Sequence, residues 1–277
     1  MYNSEKYCKN CGQHLHLDQK FCHNCGQNSN THRINFHFLV HEVQHGIFHV
    51  DKGIFYTIKE LFTRPGHTIR EYIEGRRQSH FKPVLLIMIL GTVSFFLNKL
   101  IYNDNDLLIN TSDLEELKKS KEYKDAMDGS KGAKLLDYFM EEIHRISNWI
   151  NEHFALSVLI LIPIFAFAMY LAYFTRNKSK RLNYAEFLVI ATYLSAQTMV
   201  ISIIAIPFRE IIDSTVFLLM MFAVNLWTMI QFYKNQHPFK TVLRFLASYW
   251  IVGFIWLGIV IVLLIFGIKT LSGSGAL

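Results

Sequence analysis

Apolar residues gather into five blocks, at about 83–102, 154–174, 187–208, 215–233 and 245–268. Each is close to the roughly 20 residues that a helix needs to cross a hydrocarbon core. Two shorter stretches precede them with apolar residues at helical spacing. In 35–50, Phe36, Val40, Val43, Ile47 and Val50 fall on one face, and His37, His41, His45 and His49 form a stripe roughly opposite. In 51–83 the repeating positions are Ile54, Phe55, Ile58, Leu61 and Phe62, then Ile69, Tyr72 and Ile73 before Gly75. Thr63-Arg64-Pro65-Gly66 interrupts that run, because proline disfavours helix in the residue before it. The pattern predicts an all-α multi-spanning membrane protein of about five transmembrane helices, entered through amphipathic helices lying on a membrane surface.

The polar connections set an orientation. Lys52, Lys59, Arg64, Arg70, Arg76, Arg77 and Lys82 precede the first block, Arg176, Lys178, Lys180 and Arg181 follow the second, and Lys234, Lys240 and Arg244 follow the fourth. The other connections, 103–153 and 209–213, are neutral to acidic. By the positive-inside rule the N-terminus is cytoplasmic and the C-terminus extracytoplasmic. Within 103–153, Ser112-Asp113-Leu114-Glu115 has the form of a capping box and Asp128-Gly129-Ser130-Lys131-Gly132 that of a stop. Leu136, Phe139, Ile143, Ile146 and Ile150 then carry helical spacing toward the second span.

Half of the 277 residues are apolar, as a chain partnered with a lipid bilayer requires. A net charge of +6 could suggest nucleic acid, but the cations flank apolar blocks, so membrane orientation accounts for them and no nucleic-acid partner is expected. Polar groups deep in the blocks are Ser195, Gln197, Thr198, Ser202 and Asn225. Interhelical hydrogen bonding explains them, with a substrate path as the sharper alternative. The blocks hold no deep carboxylate or arginine of the kind that drives ion-coupled transport.

All four cysteines fall in the first 25 residues. They sit in two copies of one phrase, Tyr7-Cys8-Lys9-Asn10-Cys11-Gly12-Gln13 and Phe21-Cys22-His23-Asn24-Cys25-Gly26-Gln27. No apolar leader precedes them, so they are expected in a reducing cytoplasm, where such a cluster is a metal site rather than disulfides. Two C-x-x-C knuckles supply four thiolates, the glycine after each allows a positive φ, and a return through Leu15 and Leu17 completes a small zinc ribbon. Cys8, Cys11, Cys22 and Cys25 are thus the expected ligands of one structural zinc, with no position left for water or substrate. His14, His16 and His23 are left solvated. A redox dithiol pair is the alternative, weakened by the lack of a thioredoxin-like βαβ pattern. The chain divides into a ribbon at 1–30, cytoplasmic juxtamembrane helices at 31–82, and a transmembrane domain at 83–277 that includes the extracytoplasmic segment 103–153.

His41-Glu42-Val43-Gln44-His45 matches H-E-x-x-H, where two histidines bind zinc and glutamate serves as general base. Only three positions are fixed, and His49 continues around the same helix rather than supplying a third ligand. A solvated face is the plainer reading, with a metal-binding or proton-sensing histidine stripe as the other.

Beyond these patterns, the paired C-x-x-C-G-Q knuckles, Asp51-Lys52-Gly53, Tyr56-Thr57-Ile58-Lys59-Glu60-Leu61, Arg64-Pro65-Gly66, and Arg70-Glu71-Tyr72-Ile73-Glu74-Gly75-Arg76-Arg77 leading to Pro83 resemble a family of uncharacterised bacterial membrane proteins, common in Bacteroidota, that bear domain of unknown function 3667. The resemblance implies a zinc-ribbon head on a helical membrane body, and no established activity. It also implies an aspartate at the place of Glu42, making H-E-x-x-H a local coincidence. The expected function is a bacterial inner-membrane protein whose head mediates interaction or assembly with a protein partner at the cytoplasmic face. A channel or transporter, or a zinc metallohydrolase using His41, Glu42 and His45, are the alternatives; no catalytic residue is assigned.

Overall fold

A computed structural model describes residues 6–46, 53–102, 120, 131–175, 177, 181–208 and 211–273. The expected capping box at Ser112 and stop at Asp128, and the expected helix residues Ile47, His49 and Val50, lie outside them. Two short strands, β1 (Lys6–Tyr7) and β2 (His14–Leu15), pair antiparallel, and an isolated bridge joins Phe21 to Asn28. Leu15 packs with Cys8 and Cys22 into a small core, whereas Leu17, two residues on, is exposed.

Among the described residues the α-helices are α1 (Phe36–Gly46), α2 (Gly53–Thr63), α3 (Pro65–Glu74), α4 (Pro83–Tyr102), α5 (Lys131–Glu152), α6 (Phe154–Ala172), α7 (Tyr184–Ala205), α8 (Ser214–Phe232) and α9 (Pro238–Gly273). Four stretches, Pro83–Ile101, Tyr184–Phe208, Thr215–Phe232 and Pro238–Leu263, are long and apolar enough to cross a membrane. The fifth expected span is represented by the shorter apolar helix Leu156–Ala172. α7 is the hub, packed against α4, α6, α8 and the α2–α3 pair, while α9 leans on α6, α5 and α8. Helix boundaries extend past the apolar blocks where local chemistry permits. Asn183 and Glu186 form a capping box that starts α7 before Phe187. α9 begins at Pro238, so Lys240 and Arg244, expected in a loop, lie in its first turns, where proline fits and long basic side chains are good helix formers.

In α1, Phe36 and Val40 are exposed, and the residues turned toward the body are Phe38, Leu39 and Glu42. Here the Glu42 carboxylate accepts a hydrogen bond from Tyr72 Oη at 2.6 Å, and the Arg77 guanidinium lies 4.3 Å from the Phe38 ring centroid. Phe55 departs from its expected face and is exposed, while Leu61 is fully buried.

The α2–α3 break falls at Arg64, with Pro65 opening α3 and Gly75 closing it at φ 108°. This pair packs against α7 and the end of α8. A Cβ on Gly66 would stand 2.3 Å from Phe232 N, so α3 meets the end of α8 backbone to backbone. Arg70 donates to the carbonyls of Gln231 and Phe232 at 2.6 and 2.8 Å, capping groups that α8 cannot satisfy itself. In turn, Gln197 Nε2 donates to Leu61 O at the end of α2, and Thr228 Oγ1 donates to Gln197 Oε1. The deep polar groups Gln197 and Thr228 therefore tie helices together.

Candidate metal centre and its docking site

In each knuckle the N–H of the first cysteine donates to the carbonyl of the glutamine five residues on, Cys8 to Gln13 and Cys22 to Gln27, both at 2.8 Å. The glycine N–H donates back to the same cysteine carbonyl, Gly12 to Cys8 and Gly26 to Cys22. Closing that turn needs a left-handed residue, and both glycines have φ 75°. The two turns face each other with Sγ separations of 3.6 Å for Cys8–Cys25 and for Cys11–Cys22, and all four sulfurs lie within 4.8 Å of one another. A disulfide holds its sulfurs about 2 Å apart, so these are free thiols gathered round one point. The four could hold a metal ion. Among the described residues they are the group of three or more ligating side chains close enough to do so.

The thiols differ in proton affinity. The backbone N–H of Gln13 beside Cys11 helps to hold that thiol down to about 6, while burial pushes Cys25 up to about 12. An ion must displace the Cys25 proton, which couples loading to pH.

The head does not hang free. Gln27 is buried, and its Oε1 accepts the N–H groups of Arg77 and Gln78 at 3.2 and 2.8 Å. Ser79 Oγ donates to Asn10 Oδ1 at 2.7 Å and Arg76 to Asn10 O at 3.3 Å. Just after the head, Arg33 forms a two-pronged pair with Glu186 at 2.7 Å, and Arg77 donates to His32 O at 2.9 Å. Asn183 Nδ2 donates to Ile34 O. The knuckles thus sit on the loop that follows α3 and on the start of α7. Sequence reasoning read Arg76 and Arg77 only as orientation charges and missed Gln27, Arg33 and Glu186. The repeated glutamine of the C-x-x-C-G-Q phrase and the N-x-x-E sequence at Asn183 were the signals available.

Among the described residues of the head, several large or ionisable side chains are exposed. Tyr7, Leu17 and Phe21 are 56%, 68% and 60% exposed, and His14, His16 and His23 are exposed as well. His14 makes edge contacts with the rings of Tyr7 and His16.

The histidine helix is arranged otherwise. His37 and His41 are exposed, their rings stacked at 6.4 Å, while Glu42 turns inward onto Tyr72. Burial pushes the Glu42 carboxyl above its ordinary range. The His45 side chain and His49 lie outside the described residues. Glu42 and His41 thus point to different surroundings, whereas a general base must face the water on its metal.

Among the described residues, four helices of membrane length and a four-cysteine cluster define a multi-pass membrane protein with a possible metal-binding head. Residues 51–95, the stretch from α2 into α4, match a family described as Protein of unknown function (DUF3667). No curated protein and no solved structure matches the chain. The matched segment is the one whose Gly66, Arg70 and Arg77 lock the helix ends and seat the head.

Proposed function

We propose that this is a bacterial inner-membrane protein whose N-terminal head is a cytoplasmic structural zinc ribbon serving protein interaction or assembly. Zinc is the fitting ion: four thiolates bonded to it at about 2.3 Å in a tetrahedron stand about 3.8 Å apart, against 3.6 Å for the two closest pairs here. Four protein ligands leave no open coordination position, so the metal holds the fold and does no chemistry. The observation that carries the reading is that the head is hydrogen-bonded to the body through Gln27 and Asn10 while its Tyr7, Leu17 and Phe21 stay exposed. Exposed aromatic and aliphatic side chains on a metal-stiffened module suit docking to a protein partner.

The rivals have less support. Of the polar groups named for a substrate path, Gln197 is fully buried and bonded between helices, and Ser202 donates to a carbonyl of its own helix; Thr198 and Asn225 line a cavity that opens sideways among α7, α8 and α9. The Glu42 carboxylate, which a hydrolase would need beside a metal, is engaged by Tyr72.

The test replaces Tyr7, Leu17 and Phe21 together by Ser and compares complex size by native electrophoresis after mild solubilisation. Wild type should run in an assembly larger than one chain, and the variant should run smaller with its zinc retained. An unchanged assembly, or a wild type that runs as a single chain, would contradict the reading.

A further inference from the structure

Away from the head, a cavity of about 440 Å³ opens between α7, α8 and α9, within the range of about 300–1,000 Å³ typical of ligand sites. Thr198, Thr215, Leu218, Phe222, Asn225 and Tyr249 line it. Leu218 and Leu219 are 66% and 63% exposed, so it opens sideways. Asn225 is only 8% exposed. Its Nδ2 donates to Thr198 Oγ1 at 3.4 Å, and its Oδ1 makes no hydrogen bond. A buried carboxamide oxygen without a donor is costly in an apolar setting. The Tyr249 hydroxyl also meets the Asn225 side chain, and among the described residues the carboxamide oxygen still lacks a donor.

The site narrows the donor's chemistry. Among the described residues, no charged side chain lines the cavity, which disfavours phosphate, carboxylate or ammonium. Asn225 sits ten residues from Thr215 and seven from Phe232 in the apolar stretch Thr215–Phe232. At about 1.5 Å per residue that is about 15 and about 10 Å from its ends. Phospholipid headgroups stay at the interface, and acyl chains carry no donor. The lining from Thr215 to Asn225 follows α8 lengthwise, so a linear chain fits it.

We propose that this groove binds an uncharged long-chain or prenyl alcohol from the bilayer, with its hydroxyl donating to Asn225 Oδ1 and its chain against Leu218 and Phe222. The site rests on these helices lying in a bilayer, and flotation of the chain with lipid vesicles checks that separately. Reconstituted protein is labelled with a photoreactive hexadecanol and, in parallel, with a phosphatidylcholine carrying the same photoreactive chain. Labelling sites are then mapped by mass spectrometry.

The expected result is saturable labelling of α7, α8 and α9 around the groove by the alcohol. That labelling should be about fivefold weaker in Asn225→Leu, a substitution of similar volume, and weaker in Thr198→Val, as loss of one buried hydrogen bond implies. Phosphatidylcholine labelling should not change in either variant. Equal labelling by both probes that Asn225→Leu leaves unaltered would mean simple filling by acyl chains and would overturn the proposal, as would no alcohol labelling of the groove in reconstituted protein.

Discussion

The Gln27 carboxamide oxygen accepts two backbone N–H groups, from Arg77 and Gln78, in a buried setting. Gln27→Ala leaves both unpaired and should weaken head docking by about 1–3 kcal/mol, the typical cost of an unsatisfied buried group. Hydrogen exchange should then quicken across 76–79 while the zinc content stays the same; unchanged exchange there would argue against docking through Gln27. Glu42 offers a contrasting case. Burial raises its carboxyl range in the folded chain, so the folded state binds a proton more readily than the unfolded one. Stability is then greatest at acid pH and declines as pH rises from the unfolded range through the raised folded one. A glutamine can still accept from Tyr72 and does not ionise. The Tm advantage of Glu42→Gln over wild type should therefore be larger at pH 8 than at pH 5, and activity of any kind should persist. A pH-independent difference would mean that Glu42 is solvated in the folded chain.

At the scale of elements, the α2–α3 wedge depends on a residue without a side chain. Gly66→Ala places a methyl 2.3 Å from Phe232 N, and backbone cannot yield as a flexible side chain would. The substitution should cost about 1–3 kcal/mol or more, read as a lower unfolding temperature by tryptophan fluorescence, whereas Gly253→Ala, which meets nothing within 4 Å, should be nearly neutral. The wedge shows what patterning conveys and what it omits. The Arg64-Pro65-Gly66 break and the Gly75 stop follow from backbone chemistry and could be read directly from the residues. That Phe55 faces outward while Glu42 faces inward could not, because both depend on partners, Tyr72 among them, brought in from distant sequence. The four cysteines were legible for the opposite reason: their spacing alone makes the two turns. Their seat, on Arg77 and Gln78, is tertiary.

At the scale of the whole molecule, α4, α6, α7, α8 and α9 form an apolar bundle with the head at the end where Phe81, Tyr193, Phe232 and Arg70 meet. Five crossings would place the two termini on opposite sides, in keeping with basic connections on the head side. A reporter fused at Asn177 should therefore be active in the cytoplasm, and one after Leu277 outside it. Both reporters active on one side would mean that one of α7, α8 and α9 does not cross, and a reversal of both would remove one crossing before Asn177, with the short α6 the helix in question.

If the four cysteines hold one structural zinc that makes the head, as proposed, elemental analysis of purified protein reads it out. One zinc per chain is expected in wild type and none in the Cys8→Ser/Cys22→Ser variant, which should still insert into the membrane. Stoichiometric zinc retained in that variant, or wild-type protein purified gently without any tightly bound metal, would contradict it.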